Sequence, residues 1–207
     1  MFIVGLDLGQ ARDYTALAII EKMEGGIYHV RRLERTRGTP YPEVVARGGV
    51  IMQKLPGAAL VVDGTGVGAQ VVDMFRQAGL EPTAIYIHGG DRVTHEGDTY
   101  RAPKRDLVGC LQVLLQNARP KITPGPLSDT LTTELLNFNV KIDPVTSHDS
   151  YSAWREADHD DLVLAVALGL WWGSNGRQPE VLEFSTTPVY HRPISVGGDG
   201  FRCDYYR

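Results

Sequence analysis

The chain has 207 residues, of which 43% are hydrophobic and 22% are charged, a composition typical of one folded domain with a full apolar core. Its net charge of −4 argues against a uniformly basic nucleic-acid-binding protein, although a local basic face is compatible with it. Cys110 and Cys203 are too few for a disulfide framework, no run of about 18 apolar residues predicts a membrane span, and the first residues lack signal-peptide features, so we expect a protein that is neither secreted nor membrane-bound.

The first third of the chain is predicted to form three strands and a helix. Apolar and β-branched residues mark strands over 2–8 and 14–21, and 26–33 alternates as a third strand. Short connections between such strands indicate an antiparallel meander. A helical pattern over 42–55 follows, weakened by two adjacent glycines.

The middle of the chain alternates between strands and helices, which is the pattern of an α/β domain. Apolar runs at 58–63 and 83–88 predict buried strands. Helical periodicity predicts three helices, and a polar, glycine-containing stretch predicts a loop. These helices are at 69–78, 103–119 and 127–136, and the loop is at 89–102.

The last third contains one predicted hairpin and one buried helix. Residues 137–142 and 151–154 flank a turn-rich stretch, and 162–172 is apolar nearly all round, as in a helix buried on every side. We therefore expect a mixed sheet, with three antiparallel strands and then parallel strands, flanked by helices within residues 1–173. Residues 174–207 lack periodicity and are predicted to form a loosely ordered tail.

Three aspartates occupy positions at which α/β sheets commonly form ligand-binding sites. Asp7 ends the first strand, Asp63 ends a parallel-type strand, and Asp161 begins the buried helix. Ligands in open α/β sheets collect outside the carboxyl ends of the strands. If Asp7 and Asp63 lie on adjacent strands, their carboxylates approach closely enough to share metal ions. Mg²⁺ and Mn²⁺ prefer oxygen ligands, and a pair of such ions would neutralise the cluster.

The chemistry that follows from two such ions is phosphodiester hydrolysis without a side-chain nucleophile. Asp13 and Asp160 are candidates for additional ligands or for residues that orient the ligands, and His159 is a candidate for a local hydrogen-bonding role. Each acid also has a structural interpretation, because aspartate commonly ends strands, forms turns and caps helices. Asp160 in particular matches a helix N-cap.

The acidic segments resemble the C-terminal nuclease domain of bacteriophage large terminase subunits. The resemblance is carried by GLDLGQARDYTALAII, LVVDGTGVGAQVVDMF, APKRDLV and HDDLVLAVALGLWW, and it covers roughly residues 1–172. It implies an RNase H-like fold and endonuclease cleavage of double-stranded DNA with divalent metal, two Mg²⁺ or Mn²⁺ ions. The family's acidic positions fall on Asp7, Asp63 and Asp161, with accessory acids at Asp13 and Asp160. The hairpin at about 137–155 matches one beside the site in relatives.

The same resemblance implies partners that the sequence does not itself contain. Large terminases carry an ATPase, and no Walker motif occurs here. A terminase ATPase domain or subunit, the portal and the small terminase are therefore expected partners, in the cytoplasm of an infected bacterial host.

DNA binding by an acidic chain requires clustered cations. Candidates follow the third strand, open the helix at 103–119, and lie in the segments on either side of it. The strongest are Arg31, Arg32, Arg35, Lys104, Arg105 and Arg155, with Arg37, Arg92 and Arg101 as further candidates. Contacts to the DNA backbone should give weak sequence preference and strong salt dependence.

Other interpretations remain open. A Holliday-junction-resolvase-like nuclease shares the metal chemistry, and a catalytically silent RNase H-like docking module shares the fold. The motifs at 7–9 and 63–66 also look like the phosphate motifs of the actin and sugar-kinase superfamily, which needs two subdomains. The glycine-rich loop at 64–68 follows a strand as in a dinucleotide-binding module, but its G-x-G-x-G spacing and the absence of an acid ending the next strand disfavour that interpretation.

Overall fold

The computed structural model describes residues 1–9, 13–137 and 160–176. They form one eight-stranded sheet with helices on both faces. No helix within these ranges is long and apolar enough to cross a membrane. The strands are β1 (Phe2–Asp7), β2 (Tyr14–Lys22), β3 (Tyr28–Arg37), β4 (Ala59–Asp63), β5 (Thr83–His88), β6 (Thr94–Glu96), β7 (Thr99–Pro103) and β8 (Pro120–Ile122). The helices are α1 (Tyr41–Lys54), α2 (Gly68–Gln77), α3 (Lys104–Gln116), α4 (Ser128–Asn137) and α5 (Asp161–Asn175), with one 3₁₀ turn at Glu24–Gly26.

The sheet is mixed, as the sequence predicts. Its strand order is β6-β7-β5-β4-β1-β2-β3-β8. Strands β1, β2 and β3 form the antiparallel meander. Strand β4 pairs parallel with β1, β5 with β4, and β7 with β5. The carboxyl ends of β1, β4 and β5 therefore meet at one edge of the sheet, which is where ligands bind in such folds.

Two apolar layers enclose the sheet, because alternate residues of each strand face opposite sides. Helices α1 and α2 cover one face, where Phe75 is fully buried. Helices α3, α4 and α5 lie on the other face, and α5 packs directly on β1 and β2. Nearly every α5 side chain is buried, which explains its apolar sequence.

Glycine allows α5 to lie close to β1. A Cβ atom at Gly5 would overlap the carbonyl oxygen of Ala165 and would lie 3.2 Å from the amide nitrogen of Gly169. The helix and strand backbones are thus in direct contact. This contact fixes the first residue of α5 relative to the last residue of β1.

The prediction of a loop over 89–102 is wrong for the second half of that range. A hairpin of β6 and β7 lies there, with Gly97 at positive φ in its turn. The middle of β7 alternates: Tyr100 and Ala102 are buried, whereas Arg101 between them is exposed. Strand β8 is a second unexpected element, and α3 ends at Gln116, three residues before the end of the helix predicted at 103–119. Strands β6 and β8 are the two edges of the sheet, and β7 lies between β6 and β5. All three have only three to five residues, so pairing with neighbouring strands stabilises them rather than local pattern.

The predicted hairpin at about 137–155 and most of the predicted tail lie outside the described residues. Asn137 is the last residue of α4 rather than the start of a strand. Helix α5 continues to Asn175, so the first two residues assigned to the tail belong to that helix. The division into 1–173 and 174–207 otherwise stays a prediction.

Candidate functional site

Asp7 and Asp63 lie side by side at the carboxyl edge of the sheet. The parallel register pairs Leu6 with Val62, so the acid that follows each of them ends its strand at the same level. Both acids face α5, because Gly5 and Val61, two residues earlier, face that side. Their exposure is only 8% and 5%. Two carboxylates are thus buried on adjacent strands.

A short loop orients the Asp63 carboxylate. The backbone N–H of Thr65 donates to Oδ1 of Asp63 at 2.8 Å, and the Thr65 hydroxyl accepts from the N–H of Ile87 at 2.8 Å. The loop therefore joins the ends of β4 and β5. A Cβ at Gly68 would overlap the Asp63 carbonyl oxygen. The glycine-rich sequence is thus explained by close packing of α2 against the end of β4.

Asp161 is the first residue of α5 and is 8% exposed. Its Oδ2 accepts a hydrogen bond from Nη2 of Arg35 at 2.8 Å. Arg35 reaches it from β3, where it is opposite Ala16, and Ala16 is opposite Asp7 on β1. Asp7, Ala16 and Arg35 therefore form one row across the sheet, beneath the start of α5.

Glu134 completes this ion-pair group from α4. Its Oε1 lies 3.2 Å from Nη1 of Arg35, and its Oε2 accepts from the backbone N–H groups of Leu162 and Val163 at 3.1 and 3.3 Å. Glu134 thus caps α5 from another helix. Burial raises the pKa of Glu134 to about 7, although Arg35 and the two N–H donors lower it.

Glu134 is a site residue that the sequence interpretation missed. The available signal was its position in α4, where Leu131 and Glu134 are the buried residues. An acid three residues from a buried leucine occupies the apolar face of a helix. A buried carboxylate needs a cationic or hydrogen-bonding partner, and here it has both.

The three principal aspartates do not form one cluster. Within residues 1–9, 13–137 and 160–176, no three Asp, Glu, His or Cys side chains are grouped so that they would hold a metal ion. The structure brings Asp7 and Asp63 together, whereas Asp161 pairs with Arg35. The oxygen donors still suit a hard divalent cation, and all three acids belong to the same side of the same sheet edge.

The accessory candidates are less central. Asp13 is exposed. Asp160 occupies the N-cap position of α5, and its carbonyl accepts from the N–H of Leu164 at 2.9 Å, but its side chain forms no capping bond to this helix. His159 lies outside the described residues.

The basic residues that were expected to bind DNA lie in several different surroundings. Arg31 pairs with Glu21, Arg32 with Glu34, and Arg105 with Asp91, all at the surface. Lys104 is the first residue of α3 and is half-buried. Arg35 does not fit a surface role, because its side chain is 12% exposed and bridges two buried carboxylates. Arg37, Arg92 and Arg101 are exposed, and Arg155 lies outside the described residues.

Comparison with known proteins finds similar sequences and similar structures. No family model matches the chain. The large terminase subunits of Thermus phage G20c and Thermus virus P23-45 each share 23% identity with it over 193 residues, which is 92% of this chain and 36% of theirs. The chain is therefore similar in sequence to phage large terminase subunits. It spans about a third of the length of these curated relatives.

The similarity to terminases is also seen in the three-dimensional structure. The crystal structure of the large terminase nuclease from phage G20c superimposes with a TM-score of 0.60 and 22% identity, covering 82% of this chain and 80% of that one. The eight-stranded mixed sheet therefore has the same fold as this nuclease domain, and the expected RNase H-like fold is confirmed. Structures of the same G20c nuclease contain bound zinc, magnesium or cobalt.

Proposed function

We propose that this chain is the nuclease part of a phage DNA-packaging terminase, and that it cleaves double-stranded DNA with two divalent ions, Mg²⁺ or Mn²⁺. The observation that carries the proposal is the pair of buried carboxylates, Asp7 and Asp63, in register on adjacent parallel strands. Homology to large terminase subunits supports the same assignment.

Asp7, Asp63 and Asp161 would bind the ions, with Asp13 and Asp160 as candidates for accessory roles. Two hard cations held by these carboxylates would activate a water molecule for attack on phosphorus and stabilise charge on the leaving 3′ oxygen. The protein itself would hold these carboxylates in position. The β1–β4 register holds Asp7 and Asp63 together, and the contact of Gly5 with α5 sets the distance to Asp161.

Cations on the same edge would contact the DNA backbone. Lys104 and Arg105 begin α3 directly after β7, where backbone N–H groups also favour phosphate. Arg31, Arg32 and Arg155 remain candidates for weaker contacts. Because such contacts release counterions, cleavage at limiting DNA concentration should fall steeply between 50 and 200 mM salt.

The partners follow from the terminase assignment. A terminase ATPase domain or subunit would drive DNA movement, and the portal and small terminase would complete the assembly in the cytoplasm of the infected bacterial host. No Walker motif occurs in these 207 residues, and the proposal for them is cleavage alone.

The test is cleavage of supercoiled plasmid by Asp7→Asn, Asp63→Asn and Asp161→Asn variants in Mg²⁺ and in Mn²⁺. Each should reduce the rate by at least about 100-fold, because each change removes a charged ligand. Asp73→Asn is the matched control, since Asp73 is exposed and pairs only with Arg76 among the contacts described. Wild-type rates in all three variants would reject the proposal.

A four-way DNA junction should be included as a competing substrate. A terminase nuclease should cleave linear duplex and junction arms at similar rates, whereas a resolvase-like enzyme should strongly prefer the junction. Absence of cleavage together with absence of metal binding would instead favour a silent docking module.

A further inference from the structure

The buried ion pair between Arg35 and Asp161 has a consequence for metal binding. Resting on the proposed function, we propose that Arg35 is the resident counter-ion of Asp161, and that a divalent cation which takes Asp161 as a ligand must compete with the Arg35 guanidinium. Arg35 would then set the metal concentration at which the Asp161 position is occupied.

The first support is the position of the guanidinium. Nη2 of Arg35 donates to Oδ2 of Asp161 at 2.8 Å, and the two side chains are only 12% and 11% exposed. A carboxylate buried to this extent is stable only with a partner. Arg35 provides that partner.

The second support is that Arg35 is held from two other sides. Glu134 Oε1 lies 3.2 Å from Nη1, and the ring of Tyr14 stacks beneath the guanidinium at 3.9 Å from its centroid. A cation–π contact and a second ion pair both oppose movement of the arginine. The guanidinium is therefore a fixed charge rather than a flexible surface cation.

The third support is the arrangement of the acids. Asp161 pairs with Arg35 and does not belong to a three-ligand cluster with Asp7 and Asp63 among the described residues. A divalent ion and a guanidinium repel each other, and both are attracted by the same carboxylate. Removing the guanidinium should therefore strengthen metal binding at Asp161.

The experiment is Mn²⁺ titration of the full chain without DNA, with free Mn²⁺ followed by electron paramagnetic resonance and heats measured by calorimetry. The difference between wild type and Asp161→Asn defines the binding that depends on Asp161. Arg35→Gln should lower the dissociation constant of that binding by roughly tenfold, the scale typical of changes beside a metal ligand. The double variant Arg35→Gln/Asp161→Asn should lose the gain.

Arg47→Gln is the matched control, because Arg47 also pairs with a glutamate but is 44% exposed on α1. It removes the same charge and should leave Mn²⁺ affinity unchanged. A second variant, Arg35→Gln/Glu134→Gln, avoids leaving Glu134 buried without its cation and should show the same gain. Melting curves identify any variant that does not fold.

The outcomes separate the two proposals. Unchanged or weaker Mn²⁺ binding in both folded Arg35 variants would overturn the counter-ion role while leaving the nuclease assignment intact. Wild-type protein that binds no Mn²⁺, or binding that does not depend on Asp161, would overturn the proposed metal site and this inference with it.

Discussion

Replacing Gly5 with alanine should weaken the contact between β1 and α5. The added methyl group would overlap the Ala165 carbonyl oxygen and stand 3.2 Å from the Gly169 nitrogen. Non-bonded heavy atoms prefer about 3.5–4.0 Å, so α5 must move by more than about 1 Å. Because the obstructing atoms belong to backbone, rotation of a side chain cannot relieve the overlap.

The expected loss is about 3 kcal/mol of unfolding free energy, at the upper end of the range for overpacked cores. In a domain of this size, that loss lowers the melting temperature by roughly 6–12 °C. Guanidinium unfolding, with circular dichroism as the signal, measures the change. Gly109→Ala is the control, because Gly109 lies within α3 and a Cβ there meets nothing within 4 Å.

The control should stabilise the protein by about 0.5–1 kcal/mol, because alanine restricts the unfolded chain more than glycine and favours helix. The two Gly→Ala changes are therefore expected to alter the free energy of unfolding in opposite directions. A Gly5→Ala protein within about 0.5 kcal/mol of wild type would refute the close approach of strand and helix, because overpacking of this kind costs more than that.

Two further predictions concern the polar groups of the site. The pKa of Glu134 rises from 4.5 unfolded to about 7 in the fold. Its stabilising contribution should be complete below pH 4.5 and lost as pH increases to about 7. At 1.36 kcal/mol per pKa unit this is about 3 kcal/mol, measured as the difference between wild type and Glu134→Gln at pH 4.5 and pH 8; equal differences at both pH values would contradict the assignment. Thr65→Val should lower the free energy of unfolding by about 1 kcal/mol, because the Ile87 N–H loses its acceptor. Thr132→Val, whose hydroxyl bonds on an exposed helix face, should cost less than half of that in the same unfolding assay.

Sequence patterns were sufficient for the elements that carry their own periodicity. The strand at 83–88 has the predicted bounds, and β1 and β4 end at the predicted acids. Helix α1 forms despite two adjacent glycines, and the packing explains why. A Cβ at Gly48 would lie 2.6 Å from the Phe75 ring, so this glycine lets α1 approach α2.

The partner of Asp161 was not predictable from local pattern. Arg35 lies in a strand with several exposed arginines, and nothing nearby in sequence distinguishes it from them. Its burial depends on a residue 126 positions away and on an acid in the apolar face of α4. Pairing with the distant strand β3 likewise accounts for the missed strand β8. Strands β6 and β7 form a local hairpin but are too short to be recognised from their own sequence pattern.

The end of β1 remote from the acids offers a practical attachment point. The backbone nitrogen of Met1 donates to the carbonyl of Lys22, whose side-chain ammonium donates to the carbonyl of Gly173 near the end of α5. Met1 therefore lies at the opposite end of β1 from Asp7, about 20 Å away along the strand. A dye or bead tethered there would leave the acidic edge accessible to DNA in single-molecule measurements.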